Sequence, residues 1–262
     1  MNIAKIKFFL KKHHIAPLKS LGQHFLINDA TVKEIVRIAN ITKYDTIIEI
    51  GAGLGILTQE LLVYAKKVIA IEIDKGFIDV LKERFKDIPN VSIIHADILK
   101  LQDLRFKTYD LRYKVVGNLP YNLASKILEN FLRKEKKKPT LMVVTVQKEF
   151  AQRMIAKPPE MNRLALFVQY HGKPNIEAHF PPSYFWPQPK VHSSVVKIEV
   201  KKRSELPLEK AREESMWKII KQAFSQPRKK LRNSIGLSIP KFQEKRPGEL
   251  SLKKWIRIVG LT

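Results

Sequence analysis

Thr46-Ile47-Ile48-Glu49-Ile50 runs straight into Gly51-Ala52-Gly53-Leu54-Gly55. A short, almost wholly apolar run bounded by glycines reads as a buried strand. The glycines permit a tight turn and let a ligand approach the backbone. Ile56 to Ala65 then reads as a helix. Strand, glycine turn and helix form the layout of a nucleotide-type cofactor site in an open α/β sheet.

Spacing narrows the cofactor. The dinucleotide fingerprint G-x-G-x-x-G needs glycine at position 56, where the chain has Ile56. The run G-x-G-x-G behind acidic Glu49 fits S-adenosylmethionine better than a nicotinamide dinucleotide. No G-K-[ST] follows, so a P-loop is unsupported. A second strand, Val68-Ile69-Ala70-Ile71-Glu72, ends in an acid 21 residues after Gly51. A carboxylate at that distance can accept both ribose hydroxyls. A third, Val91-Ser92-Ile93-Ile94, leads to Ala96-Asp97, whose carboxylate can accept from the cofactor's adenine amino group.

The fourth strand, Tyr113-Lys114-Val115-Val116-Gly117, ends in Asn118-Leu119-Pro120-Tyr121. Asn118 offers an amide oxygen as acceptor. Pro120 biases Leu119 away from helix, which lets the Leu119 carbonyl point outward. Tyr121 adds a flat face. Two acceptors and a ring suit a planar base with an exocyclic amino group, such as adenine. The adenine N6 lone pair is delocalised into the ring and is a poor nucleophile. Acceptors on both N–H bonds favour the pyramidal form and stabilise the positive charge that develops on attack. The plain alternative for this tetrapeptide is a strand ending in an ordinary turn.

The rest of the chain reads in order. Asp29 is placed to cap the helix that starts there. Asn122 to Arg133 is helical, and Arg133 to Lys138 is a basic connector. Leu141 to Val146 is a fifth strand and Gln147-Lys148-Glu149 opens a helix. Leu164 to Tyr170 reads as a sixth strand, and Ser193 to Val200 as the last. Between them, Phe180 to Val191 is an aromatic loop stiffened by proline. From residue 201 the pattern is helical. The expected division is a catalytic domain over 1–200 and a small basic helical domain over 201–262.

Composition agrees with such a protein. Of 262 residues, 49 are basic and 25 acidic, a net charge of +24, which points to a polyanion such as nucleic acid. Residues 201–262 hold 17 basic and 6 acidic side chains, the denser share. Residues 1–19 are basic with no acid, and read as an RNA-contacting or frayed terminus. The chain has no cysteine, which excludes disulfides, thiol catalysis and cysteine-held metal. No apolar run approaches a membrane span, and the histidines show no metal-binding spacing, so neither membrane nor metal is expected.

Taken together, Gly22-Gln23-His24-Phe25-Leu26, Glu49 to Gly55, Glu72, Ala96-Asp97, Asn118 to Tyr121, Pro189-Lys190-Val191-His192-Ser193 and Arg228-Lys229-Lys230-Leu231-Arg232-Asn233 resemble the KsgA (RsmA) family of small-subunit ribosomal RNA adenine dimethyltransferases. The resemblance runs from about Lys19 to the C-terminus. It implies a Rossmann-like S-adenosylmethionine-dependent methyltransferase sheet of seven mostly parallel strands, with a C-terminal all-helical RNA-binding domain. It implies a cytoplasmic, monomeric enzyme that dimethylates N6 of two adjacent adenosines in the 3′-terminal hairpin loop of 16S rRNA, on the immature small ribosomal subunit. His24 and Leu26 would line the cofactor site with Gly51 at the methionine end, Glu72 on the ribose and Asp97 on the adenine. Asn118, which also borders the cofactor, and the Leu119 carbonyl would hold the target amino group. Tyr121 would stack on the base and Phe185 would be a second stacking ring. His192 stands where the family often has Asp, and Gln226-Pro227 where Arg-rich sequence is usual. The rival readings are a large-subunit rRNA methyltransferase of the resistance type and an assembly factor acting mainly by binding.

Overall fold

The computed structural model describes residues 3–13, 15, 23–100, 112–134, 137–236 and 239–260. Lys19 and Gly22 of the first motif, and residues 135–136 of the basic connector, lie outside them. Helix α1 (Ile3–Lys12) precedes a two-residue strand β1 (Phe25–Leu26). Helix α2 (Asp29–Ala39) is capped by Asn28 rather than Asp29, its side chain accepting from the Thr31 N–H. The alternation then runs β2 (Thr46–Ile50), α3 (Ile56–Tyr64), β3 (Lys67–Glu72), α4 (Lys75–Arg84), β4 (Val91–His95), β5 (Tyr113–Asn118) and α5 (Ala124–Glu129). A π-helical turn over Asn130–Lys134 continues α5. β6 (Leu141–Gln147), α6 (Lys148–Met154), α7 (Arg163–His171), β7 (Gly172–Phe180), β8 (Phe185–Trp186) and β9 (Ser193–Val200) follow. The chain closes with α8 (Lys210–Ala223), α9 (Leu231–Ile235), α10 (Pro240–Gln243) and α11 (Leu252–Val259).

Seven strands form one sheet in the order β4-β3-β2-β5-β6-β9-β7. The pairs β4–β3, β3–β2, β2–β5 and β5–β6 are parallel and β6–β9 is antiparallel. This is the expected Rossmann-like sheet. Its order reverses at β2, beside β5, and a ligand crevice opens outside the carboxyl ends of strands at such a point. β2 is buried along its whole length, which explains its mostly apolar sequence and leaves Thr46 and Glu49 buried as well.

One strand is not where the sequence suggested. Residues 164–170 lie in helix α7, not in a strand. Asn162 caps it by accepting from the Ala165 N–H at 3.0 Å, and Ala165, Leu166, Val168 and Tyr170 are buried. Burial on several sides left no helical period to read. The missing strand is β7, whose Lys173-Pro174-Asn175 start argues against a central strand. β7 is an edge strand, where proline is tolerated.

The chain divides into two compact units, residues 1–151 with 175–200 and residues 152–174 with 201–262. The division differs from a cut at residue 200 because α7 belongs with the C-terminal helices. Leu166 and Tyr170 share a core with Met216, Ile220, Trp255 and Ile258. A short helical tail lacks apolar surface for a core of its own, and α7 supplies it. Among the described residues no helix is long and apolar enough to cross a membrane.

Candidate active site

The site gathers at the carboxyl ends of β2, β3, β4 and β5. After β2 the backbone turns through Gly51 and Gly53 at φ +73° and +53°, a region where a Cβ is strained. The Gly51 N–H donates to the Ile71 carbonyl at 2.9 Å, tying the turn to β3. The turn forms one wall of a cleft that opens to solvent. The cleft brings together His24, Gly51, Glu72, Asp97 and Asn118.

Glu72 is 6% exposed. Its Oε2 accepts from the Gly53 N–H at 2.8 Å, and its Oε1 from those of Ile73 and Asp74 at 2.8 and 2.9 Å. Burial nevertheless raises its pKa above the usual carboxylate value, against those three donors. Asp97 is fixed by the Leu99 N–H, which donates to its Oδ1 at 2.9 Å.

Asn118 is the last residue of β5. Its Nδ2 donates to the His24 carbonyl at 2.6 Å. A flipped amide would set two carbonyl oxygens at that distance, so the bond fixes which way the side chain faces. Its Oδ1 is buried and has no hydrogen-bond partner among the described residues. An orphaned buried acceptor needs an explanation, since an unmade bond costs about 1–3 kcal/mol. A ligand carrying an N–H supplies one.

Tyr121 stands just beyond. Its hydroxyl bonds the buried Ser193 hydroxyl at 2.8 Å. Its ring stacks on His24 with centroids 5.6 Å apart. The His24 Nδ1–H in turn donates to the Pro187 carbonyl at 2.6 Å. Tyr121 is thus held twice, through Ser193 at the start of β9 and through His24, which the aromatic loop fixes at Pro187.

Two of the expected residues are placed differently. Phe185 is 1% exposed and belongs to the core with Val32, Leu57 and Val195. It is not a ring of the cleft, because β8 pairs with β1 and carries Phe185 inward opposite Leu26. The ring stacked on Tyr121 is His24. Leu26 is buried and lines a smaller adjoining pocket with Glu49, Gly51 and Asn118. The Leu119 side chain is buried, and its N–H donates to the Thr145 carbonyl at 3.0 Å, so only its carbonyl remains for chemistry. In the second unit, Lys230 and Arg232 both close on Glu244, at 2.7 and 2.5 Å, while Arg228 and Lys229 stand exposed.

The sequence also understated Glu49. It is 1% exposed and its Oε2 has no partner. Burial pushes its carboxyl up to about 8, the nearby Glu72 charge adding to the rise and Thr58 opposing it. A lone carboxyl in an otherwise apolar strand was the available signal. An unfolded glutamate ionises near 4.3. From there to about pH 8 the unfolded chain gives up a proton that the fold retains. Stability from this group is therefore full below the unfolded value and falls as pH rises, by about 1.4 kcal/mol per unit. Glu49→Gln is expected to remove that slope. Between pH 5 and pH 8, urea unfolding of the native protein should lose on the order of 3 kcal/mol more than the variant does. Equal losses in both proteins would mean that Glu49 is already ionised in the fold.

Comparison with known proteins converges on the same chemistry. A model of the family described as ribosomal RNA adenine dimethylase matches residues 17–249. A ribosomal RNA small subunit methyltransferase A from Dehalococcoides mccartyi (strain CBDB1) is 40% identical over 241 residues, 91% of this chain and 82% of that protein. One from Alkaliphilus oremlandii (strain OhILAs) is 39% identical over 236 residues, 88% of this chain and 81% of the relative. Among solved structures, a dimethyladenosine transferase from Plasmodium falciparum superposes with a TM-score of 0.74 at 25% identity, covering 89% of this chain and 95% of its own. The 23S rRNA methyltransferase ErmE also reaches a TM-score of 0.74, at 22% identity, covering 90% and 98%, a likeness of fold. The chain therefore belongs to the ribosomal RNA adenine dimethylase family, enzymes that use S-adenosylmethionine to methylate adenine in rRNA.

Proposed function

We propose that this enzyme places two methyl groups on N6 of each of two adjacent adenosines in the 3′-terminal hairpin loop of small-subunit rRNA. It acts in the cytoplasm, as a monomer, on the immature small subunit. The observation that carries this reading is the unpartnered, buried Asn118 Oδ1 in a cleft shared with Gly51, Glu72 and Asp97. The names of the curated relatives favour the small subunit over the large one.

The residues present fit the cofactor. Glu72 holds the ribose hydroxyls and Asp97 the adenine amino group, while the Gly51 turn and His24 border the methionine end. When bound, S-adenosylmethionine supplies a sulfonium methyl that is already electrophilic. The protein's task is to present the amine. Asn118 Oδ1 and the Leu119 carbonyl accept the two N6 hydrogens, pyramidalise the nitrogen and aim its lone pair. These acceptors are fixed before the base arrives, so little reorganisation accompanies the step. Tyr121 stacks on the extruded base. Extrusion costs a few kcal/mol, less from a loop than from a duplex, and one stacked ring returns roughly 1–3 kcal/mol. Transfer would break the methyl–sulfonium bond as the N6–methyl bond forms, leaving a neutral thioether and a cationic N6 whose proton would then pass to solvent, so no general base is required to start.

The direct test is mass spectrometry of rRNA nucleosides after incubation with S-adenosylmethionine and unmethylated small subunits, large subunits or duplex DNA. N6,N6-dimethyladenosine from small subunits alone is the expected result. Product from large subunits would move the enzyme to the resistance type. No product with tight small-subunit binding retained would make it a binding factor.

A further inference from the structure

The family match begins at residue 17, and helix α1 lies ahead of it. This helix is docked. Ile6 and Leu10, 0% and 4% exposed, are buried in one cluster with Phe25, Leu54, Phe77 and Val80. The Ile15 N–H donates to the Leu10 carbonyl at 2.9 Å, and Lys12 bridges to Glu83 of α4 at 3.2 Å. Phe25 belongs both to this cluster and to the wall of the cofactor cleft. Helix α1 is thus fixed beside the site.

The opposite face of α1 is of another kind. Phe8 is 70% exposed. Lys7 and Lys11, four residues apart and so on one side of the helix, are exposed and make no ion pair among the described residues. Phe8 falls on the same side. No acidic residue occurs before Asp29. Ile6 and Leu10 are spent on the core, so Phe8 stands as an exposed ring beside Lys11, with Lys7 next to that lysine on the helix surface. A membrane-surface helix would offer a continuous apolar face instead. One ring beside cations matches a single-stranded nucleic acid, in which a base stacks and its phosphates pair.

We propose that Lys7, Phe8 and Lys11 of α1 form an RNA-contact surface beside the cleft, the lysines pairing with phosphates and Phe8 stacking on an unpaired base near the target loop. The inference rests on rRNA being the substrate, and adds to it a contact outside the residues that the family model matches.

Full-length protein binding to unmethylated small subunits, measured across a salt series, tests it. Phe8→Ala is expected to weaken binding about tenfold with the salt slope unchanged. Lys7→Gln with Lys11→Gln should lower the slope of log K against log salt by about 1.4, two phosphates' worth on a single strand. Thermal unfolding and S-adenosylmethionine affinity should stay as in the native protein, since these side chains are exposed and touch neither core nor cleft. Charge reversal at Arg228 and Lys229 is the control. If it weakens binding while the α1 variants bind with native affinity and slope, rRNA remains the substrate and the α1 surface is disproved. If the native protein fails to bind small subunits, the substrate reading itself falls, and this proposal with it. Loss of binding to phosphatidylglycerol vesicles in the α1 variants, with subunit binding intact, would assign the face to a membrane and overturn the proposal.

Discussion

Asn118→Ala is expected to lower kcat about 10²- to 10³-fold, the loss typical of removing one preorganised polar group that meets the transition state. The substitution deletes the unpartnered Oδ1 and also the Nδ2 bond to the His24 carbonyl. Asn118→Asp separates the two. It keeps an acceptor but turns a carboxylate oxygen toward the His24 carbonyl, so it should recover little activity. S-adenosylmethionine affinity, read by equilibrium dialysis, should change only a few-fold in Asn118→Ala, because Glu72, Asp97 and the Gly51 turn remain. Single-turnover methyl transfer to unmethylated small subunits is the measurement. Turnover near the native rate would remove Asn118 from the chemistry and leave its buried oxygen unexplained.

The largest effect on stability is expected at the other end of the sheet. Lys114 lies inside β5 yet is only 8% exposed. Its ammonium pairs with the buried Asp45 carboxylate at 2.9 Å and donates to the Asn40 and Ala39 carbonyls at 2.5 and 3.2 Å. Burial alone would push the Asp45 carboxyl up. The Lys114 ammonium and the Thr42 N–H and hydroxyl outweigh it and hold the group below the usual range. Lys114→Met removes the cation and leaves a buried carboxylate with two stranded carbonyls, which should cost about 3–5 kcal/mol in urea unfolding at pH 7. The native pair contributes above the unfolded aspartate value near 3.9, and that contribution fades as pH falls through the lowered folded value. The gap between native protein and variant should therefore narrow below pH 4. A loss under 1 kcal/mol at pH 7 would mean that Met packs as well as the ion pair it replaces.

The parts of the fold that were legible are those that the backbone dictates locally. The strands β2, β3, β4 and β5 each show an apolar run that stops at a glycine, a carboxylate or an asparagine, and all four end at the cleft. Gly51, Glu72, Asp97 and Asn118 converge for that reason, while His24 comes from the segment before β1 and is held through Asn118 and Pro187. What stayed hidden depends on pairing across the chain. Phe185 looks like a loop ring until β8 is seen beside β1, which turns it inward. Tyr121 is held against His24 by groups far along the chain, Pro187 of the aromatic loop bonding His24 and Ser193 at the start of β9 bonding Tyr121. Helix α7 passed for a strand because its burial blurs the helical period, and β7 was missed because its apolar side chains begin only after Pro174. Glu49 showed its position but not its proton, which follows from burial.

Gly117 of β5 lies in register with Ile50 of β2. A Cβ on Gly117 would sit 2.6 Å from the Ile50 carbonyl, and one on Gly51 would lie 3.7 Å from that of Asn118. The cofactor turn and the acceptor asparagine thus leave adjacent strands at the same level, with nothing but backbone between them. Neighbouring strands stand about 4.8 Å apart, a length set by amide hydrogen bonds that no side-chain rotation alters. In the proposed reaction the sheet would act as a ruler between the methyl donor and the amine that receives it. Four successive transfers can then use one rigid gauge, and it is the RNA that must be drawn through it, base by base.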